Sequence, residues 1–279
     1  MIRELSFAAV GVAVTGLLCA QEPKTEESPG AKLRLQLMQD TIAGFRTGDD
    51  DKSAAKFVAK PLLRYSDPTR GLVGSNALLD AGVWRLGEKG RPLALVTLEI
   101  YGKGEGEAIL SYEFLALTGE KLSLSHQQNK TVKWNSAGKD AVSLKPLPNA
   151  PPPATIAAAR LVQMRTFARR FKVHETLKQK GEKEEVECRL LSQPIDRYQD
   201  GKEIVDGAIF AYANGTNPEV GVLLECNADR WSYGVIRLSS AELRVTLDGD
   251  EVAQLPTGDF RYAKDSNYFA AGHPIKLAE

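Results

Sequence analysis

The sequence carries no surplus of either charge: 36 Lys and Arg stand against 36 Asp and Glu. Duplex nucleic acid is held through basic surfaces that displace counterions, so a neutral chain argues against that partner. No acidic or basic tail supplies such a surface either. Histidine is scarce, and His126, His174 and His273 have no ligand-type neighbour three or four positions away. No zinc motif is therefore written, and each histidine reads as a surface or capping residue. Neither a metal site nor a cofactor is expected. The patterns G-x-S-x-G, H-E-x-x-H, Walker A and G-x-G-x-x-G are all missing. Residues 102–106 form a glycine-rich turn between two strand-like runs, without the following helix that a phosphate loop needs. What remains, 43% hydrophobic and 26% charged residues, is the composition of an ordinary globular chain. A length of 279 residues suggests about two domains.

Long apolar runs are also missing, with one exception at the start. Arg3 precedes an apolar run over residues 7–18, and the small residue Ala20 stands before Gln21. That is the pattern of a secretory signal over residues 1–20, and it is shorter than the roughly 20 residues of a membrane-spanning helix. The expected location is therefore outside the cytoplasm, in the periplasm or beyond, with no transmembrane segment. Cys19 invites a lipoprotein reading, but bulky Leu18 sits where that processing wants a small residue, so simple export is favoured. Export leaves Cys188 and Cys226 as a disulfide candidate. Such a bridge would contribute on the order of 3–4 kcal/mol, the alternative being two small buried residues on strands.

Polar residues 21–31 read as a flexible lead-in, and residues 136–154, with Pro146, Pro148 and Pro151 to Pro153, as an extended proline-rich linker. The two sides of that linker resemble each other. Arg34, Leu35, Met38 and Phe45 match Arg160, Leu161, Met164 and Phe171 at an offset of 126. Pro61, Arg64, Tyr65 and Asp67 match Pro194, Arg197, Tyr198 and Asp200 at 133. Asp80, Trp84, Pro92, Leu98 and Glu99 match Asp206, Phe210, Pro218, Leu224 and Glu225 at 126. Ser111, Tyr112, Leu117 and Leu122 match Ser232, Tyr233, Leu238 and Leu243 at 121. Four blocks in one order, separated by small loop changes, indicate an internal duplication with a domain-sized period.

Each copy opens on an amphipathic helix; in the second, Ile156, Met164, Phe167 and Phe171 share a face, with Arg165 and Arg169 off it. Alternating strands follow, such as Val220, Val222, Leu224 and Cys226 against Glu219, Gly221, Leu223 and Glu225. Asn214-Gly215, Asp248-Gly249 and Lys89-Gly90 mark tight turns, so neighbouring strands are antiparallel. The second copy adds a hairpin of 172–177 with 186–191. The expected fold is thus α+β: two similar tandem domains, repeat A over 32–135 and repeat B over 155–256, each a helix followed by an antiparallel meander of about four strands. Leu115 and Leu223 stand on the more polar strand faces, which suggests that the other copy covers those faces. The tail, 257–279, is expected to pack irregularly on the second copy.

Arg64/Arg197, Asp67/Asp200, Asp80/Asp206, Glu99/Glu225 and Tyr112/Tyr233 recur in both copies. Two carboxylates can run acid–base or glycosidic chemistry when their environments split their pKa values. A fold, however, needs its architecture in both copies and its chemistry only once, so an ion-pair role is the favoured reading. Weak binding candidates are Asp206, Glu225, Arg197 and Trp231, the last as an exposed stacking platform. The segment from Arg160 to Lys172 is basic on its polar side, which would suit a weak membrane-surface or protein contact. The acidic stretch 182–187 offsets that field.

Arg197-Tyr198, the run from Asp206 to Phe210, the run from Asn214 to Val220 and Leu224-Glu225 resemble uncharacterised exported proteins of planctomycete bacteria. The resemblance implies a bacterial exported setting and no catalytic residues. The function expected is a non-catalytic binding or envelope-associated one. The alternative is a periplasmic hydrolase of a sugar or ester acting through carboxylates such as Asp206 and Glu225.

Overall fold

A computed structural model describes residues 27–48, 53–67, 77–139, 141–179, 182–258 and 265–277. The segment expected to be a secretory signal, with Cys19, lies outside the described residues. The described residues are mostly β, with 51% strand and 12% helix, and large curled antiparallel sheets form a β-sandwich or half-barrel. The expectation of two tandem helix-plus-meander domains is therefore wrong, for reasons that lie in how the strands pair.

The first helix, α1 (Pro29–Ala43), starts inside the segment expected to be a flexible lead-in, because Ser28 caps it and Pro29 sets its first turn. It ends at Gly44, whose φ of −75° is ordinary. Glycine is needed there for room, since a Cβ would strike the His126 ring. Strands β1 (Phe45–Thr47), β2 (Ser53–Ala54), β3 (Leu63–Asp67), β4 (Ala77–Leu86), β5 (Ala94–Gly104), β6 (Glu107–Ala116), β7 (Ser123–His126) and β8 (Lys133–Asn135) follow. Then come β9 (Lys145–Pro146), α2 (Ala157–Ala168), β10 (Phe171–Gln179), β11 (Glu182–Leu190), β12 (Asp196–Tyr198) and β13 (Asp206–Asn214). The chain continues as β14 (Asn217–Cys226), β15 (Trp231–Arg237), β16 (Glu242–Leu247), β17 (Asp250–Leu255) and β18 (Tyr268–Lys276).

In the second half the sheet runs β17-β16-β10-β11-β13-β14-β15-β9, with β12 also on β13. In the first half the order is β2-β1-β7-β8 and β18-β6-β5-β4-β3, and a Phe57–Leu86 bridge links the two pieces. Strand order therefore recurs between the halves, but the sheets hold four, five and nine strands rather than one four-stranded meander per half. Each also takes its last strand from elsewhere in the chain. The proline-rich segment contributes β9 to the edge of β15, and Leu147 is buried in the second core. The tail, expected to lie irregularly on the second half, is instead β18, paired along β6 of the first half from Tyr268–Leu115 to Lys276–Glu107.

Three apolar cores follow from the period-two alternation of the strands. One face of the first sheet packs on Met38 and Ile42 of α1, together with Trp84, Phe114 and Trp134. One face of the second packs on Met164 and Phe167 of α2, with Phe210 and Trp231. The remaining faces meet at a seam, where Leu95 and Leu115 pack with Ile209 and Leu223. Ile156, expected on the buried helix face, precedes the first helical turn and is 68% exposed. Phe171 is buried, but as the first residue of β10.

Turn chemistry behaves as its residues require. Asp248 and Gly249 have φ of 53° and 98° and join β16 to β17, the two-residue turn that Asp-Gly favours. No helix among the described residues is long and apolar enough to cross a membrane.

The disulfide candidate fails on geometry. Cys188 and Cys226 are both buried, and no disulfide joins them. Cys226 pairs with Asp206 at one end of β13, while β11 meets β13 at Ala213, the other end and the other side. Two strand spacings of about 4.8 Å already exceed the Cα separation of a disulfide.

Candidate functional site

Two sets of the recurring polar residues make matching contacts in both halves. Asp80 accepts from Arg64 through Nε at 2.8 Å and Nη2 at 2.6 Å, with Arg34 Nε at 3.4 Å. Asp206 accepts from Arg197 through Nε at 2.9 Å and Nη2 at 2.6 Å, with Arg160 Nε at 3.0 Å. Arg64 and Arg197 also each donate at 2.7 Å to a carbonyl in the first turn of a helix, Ala31 and Ala157. A strand Asp, a neighbouring-strand Arg and a helix Arg thus bolt each helix onto its sheet. The hydrogen bonds of Asp80 and Asp206 raise the Arg64 and Arg197 pKa values above the ordinary one. Both aspartates are buried, so these pairs have little competition from water.

The second recurring pair lies in the seam. Tyr65 Oη donates to Glu99 at 3.0 Å and Tyr198 Oη to Glu225 at 2.7 Å. Burial, with the adjacent glutamates, pushes both phenols well above their ordinary pKa. Glu225 is further held by Arg91 of the first half, in a two-pronged contact at 2.6 Å on each oxygen. Beside it Arg85 reaches Asp196 at 2.7 Å, and both side chains are buried. Arg85 also donates to the Gly87 and Gly90 carbonyls. Arg85 and Arg91 have no match in the other half, where Ala211 and Asn217 occupy their counterpart positions. Their signal was of another kind: charges within or beside apolar strand runs.

At the other end of the seam, β5, β6 and β18 part from β10 and β14 around a cavity of about 730 Å³. Glu99, Glu113 and Ser111 line it from the first half, and Glu175, Asn217 and Ser240 from the second. Loss of water, reinforced by Glu99 and Glu219, raises the Glu113 carboxyl well above the usual range. Among the described residues no group of three or more His, Cys, Asp or Glu has a metal-binding arrangement.

The remaining candidates scatter. Trp231 is buried against Phe167, with ring centroids 5.3 Å apart, so it is core and no stacking platform. His126 is buried rather than superficial: Nε2 lies 3.1 Å from the Thr41 carbonyl, and Nδ1 accepts from the Asn129 N–H. His273 stacks on Tyr112, and His174 lies near Glu187. Comparison of the chain with protein-family models, with curated proteins and with solved structures returns no match.

Proposed function

We propose that the chain is an exported, non-catalytic binding protein of a bacterial envelope, akin to the planctomycete proteins that its second half resembles, with the seam cavity as its contact region. The observation supporting this reading is that the recurring carboxylates are engaged: Asp80 and Asp206 by two arginines each, Glu225 by Arg91 and Tyr198. Hydrolysis by paired carboxylates requires one acid and one base open to substrate. Asp206 and Glu225 are buried and already hydrogen-bonded, which speaks against the hydrolase alternative. The repeated contacts also favour one ancestral segment written twice, since each copy needs the same bolts and only one site need bind.

The seam cavity suits a polar ligand because its wall mixes carboxylates, hydroxyls and an amide. A thermal-shift screen of polyols, saccharides and amines against the mature protein tests the reading. Ser240 is exposed at the cavity wall, so Ser240→Trp fills the space without disturbing the core. A ligand that stabilises the wild type and not this variant is the expected outcome. Turnover of a glycoside or ester that a folded Glu225→Gln variant loses would overturn it.

A further inference from the structure

A second cavity, of about 680 Å³, opens on the flank of the second half where α2 parts from β10 and β11. Its floor is apolar and aromatic: Phe171, Cys188, Phe210 and Tyr212, all buried. Its rim is cationic, with Arg165 on α2, Arg169 just after it, Lys172 from β10 and Arg189 from β11. Glu187 is the lone carboxylate of the lining, and it faces Lys172 Nζ at 3.7 Å and His174 Nε2 at 3.9 Å.

The guanidiniums here lack the carboxylate partner that several arginines elsewhere in the molecule have. Arg160, Arg170, Arg197 and Arg244 each meet a carboxylate. Arg165 instead reaches the neutral amide of Gln193, and its buried Nε has no hydrogen-bond partner. Arg189 donates to the Gly215 carbonyl at 3.3 Å, and Arg169 meets no carboxylate among the described residues. Uncompensated cations beside a low-dielectric wall focus a positive field into the cavity. At the matching positions of the first half stand Gln39 for Arg165 and Ala43 for Arg169. The rim is thus absent from the architecture that both halves share, as a site needed only once would be.

We infer that this flank cavity binds a monomeric anionic amphiphile. Its carboxylate or phosphate head would lie on Arg165 and Arg169 and its hydrocarbon body over Phe171, Phe210 and Tyr212. The volume falls within the range of about 300–1,000 Å³ usual for small-molecule sites, and paired guanidiniums suit a planar or tetrahedral oxyanion.

Calorimetric titration of the whole mature protein with sodium dodecanoate, below its micelle concentration, is the test. Saturable one-to-one binding is expected, weakened at least tenfold in an Arg165→Gln/Arg169→Gln double variant. The same loss is expected in Ser192→Trp, which fills the mouth from an exposed lining position. Acetate and inorganic phosphate, which lack the tail, should show no saturable binding, and dodecylamine, with the opposite charge, should not bind. Equal binding of the amine, or unchanged binding by both variants, overturns the inference. Vesicles of phosphatidylglycerol bound without any uptake of free dodecanoate would overturn it in favour of a membrane-surface role.

Discussion

Individual side chains carry two separable tests. Asp80 and Asp206 occupy equivalent bolts, so Asp80→Asn and Asp206→Asn should each destabilise by on the order of 1.5–3 kcal/mol, because part-exposed arginines lose a charge-assisted partner. Urea denaturation midpoints measure this, and an effect confined to Asp206 would return it to the list of chemical candidates. His126 supplies the second test. Its Nδ1 accepts from a backbone N–H, so protonation would set two donors against each other. Burial lowers its pKa below the ordinary imidazole value. The unfolded chain then binds the proton more readily, so stability is intact above about pH 6.5 and falls as the pH drops through the lowered native value. His273 shifts in the same direction, so the difference between wild type and His126→Gln isolates the His126 share. A pH slope below 6.5 that is identical in both would contradict this account.

At the scale of elements, strands proved legible and their partners did not. The alternation of Glu219 to Cys226, the Asp248-Gly249 turn and the start of α2 near Ala157 are local properties, set by side-chain period and backbone φ, and the sequence states them directly. Pairing of β18 with β6 is a backbone ladder between residues about 160 apart, with Gly272 standing opposite Ser111. Edge pairing of that kind leaves little mark on residue choice. The Arg–Asp bolts were visible because both halves repeat them, whereas Arg85 and Arg91 stand in one half only. The cysteines belong here as well, because β13 separates their strands. Denatured, unreduced protein should therefore titrate Cys188 and Cys226 as two free thiols. In the native state burial pushes the Cys226 thiol up to about 11, so maleimide labelling at pH 8 should be slow at that residue; one blocked pair after denaturation would refute the strand placement.

The whole molecule is tied across its seam. Arg85 and Asp196 form a buried pair between the halves, and Arg85→Ala leaves Asp196 buried with its charge unmatched, where loss of water already raises its pKa. A loss of about 3–5 kcal/mol is expected, with both halves unfolding in one transition in calorimetry. Two separate transitions would show the halves to be independent. Deleting residues from 257 onward should be worse still, since it strips β6 of its neighbour and removes Phe269 from the first core. Aggregation of that truncated protein is the expected outcome, read by light scattering, because β6 would become a bare edge.

The loan of β18 to the first sheet also sets a timetable. For the exported chain proposed above, passage from the amino end delivers the first half early, yet that half stays short of one wall until the final residues arrive. The second half borrows only β9, which precedes it, and so can close first. What is made earliest is finished last, and an export-linked chaperone would have most to guard along β6 during that interval.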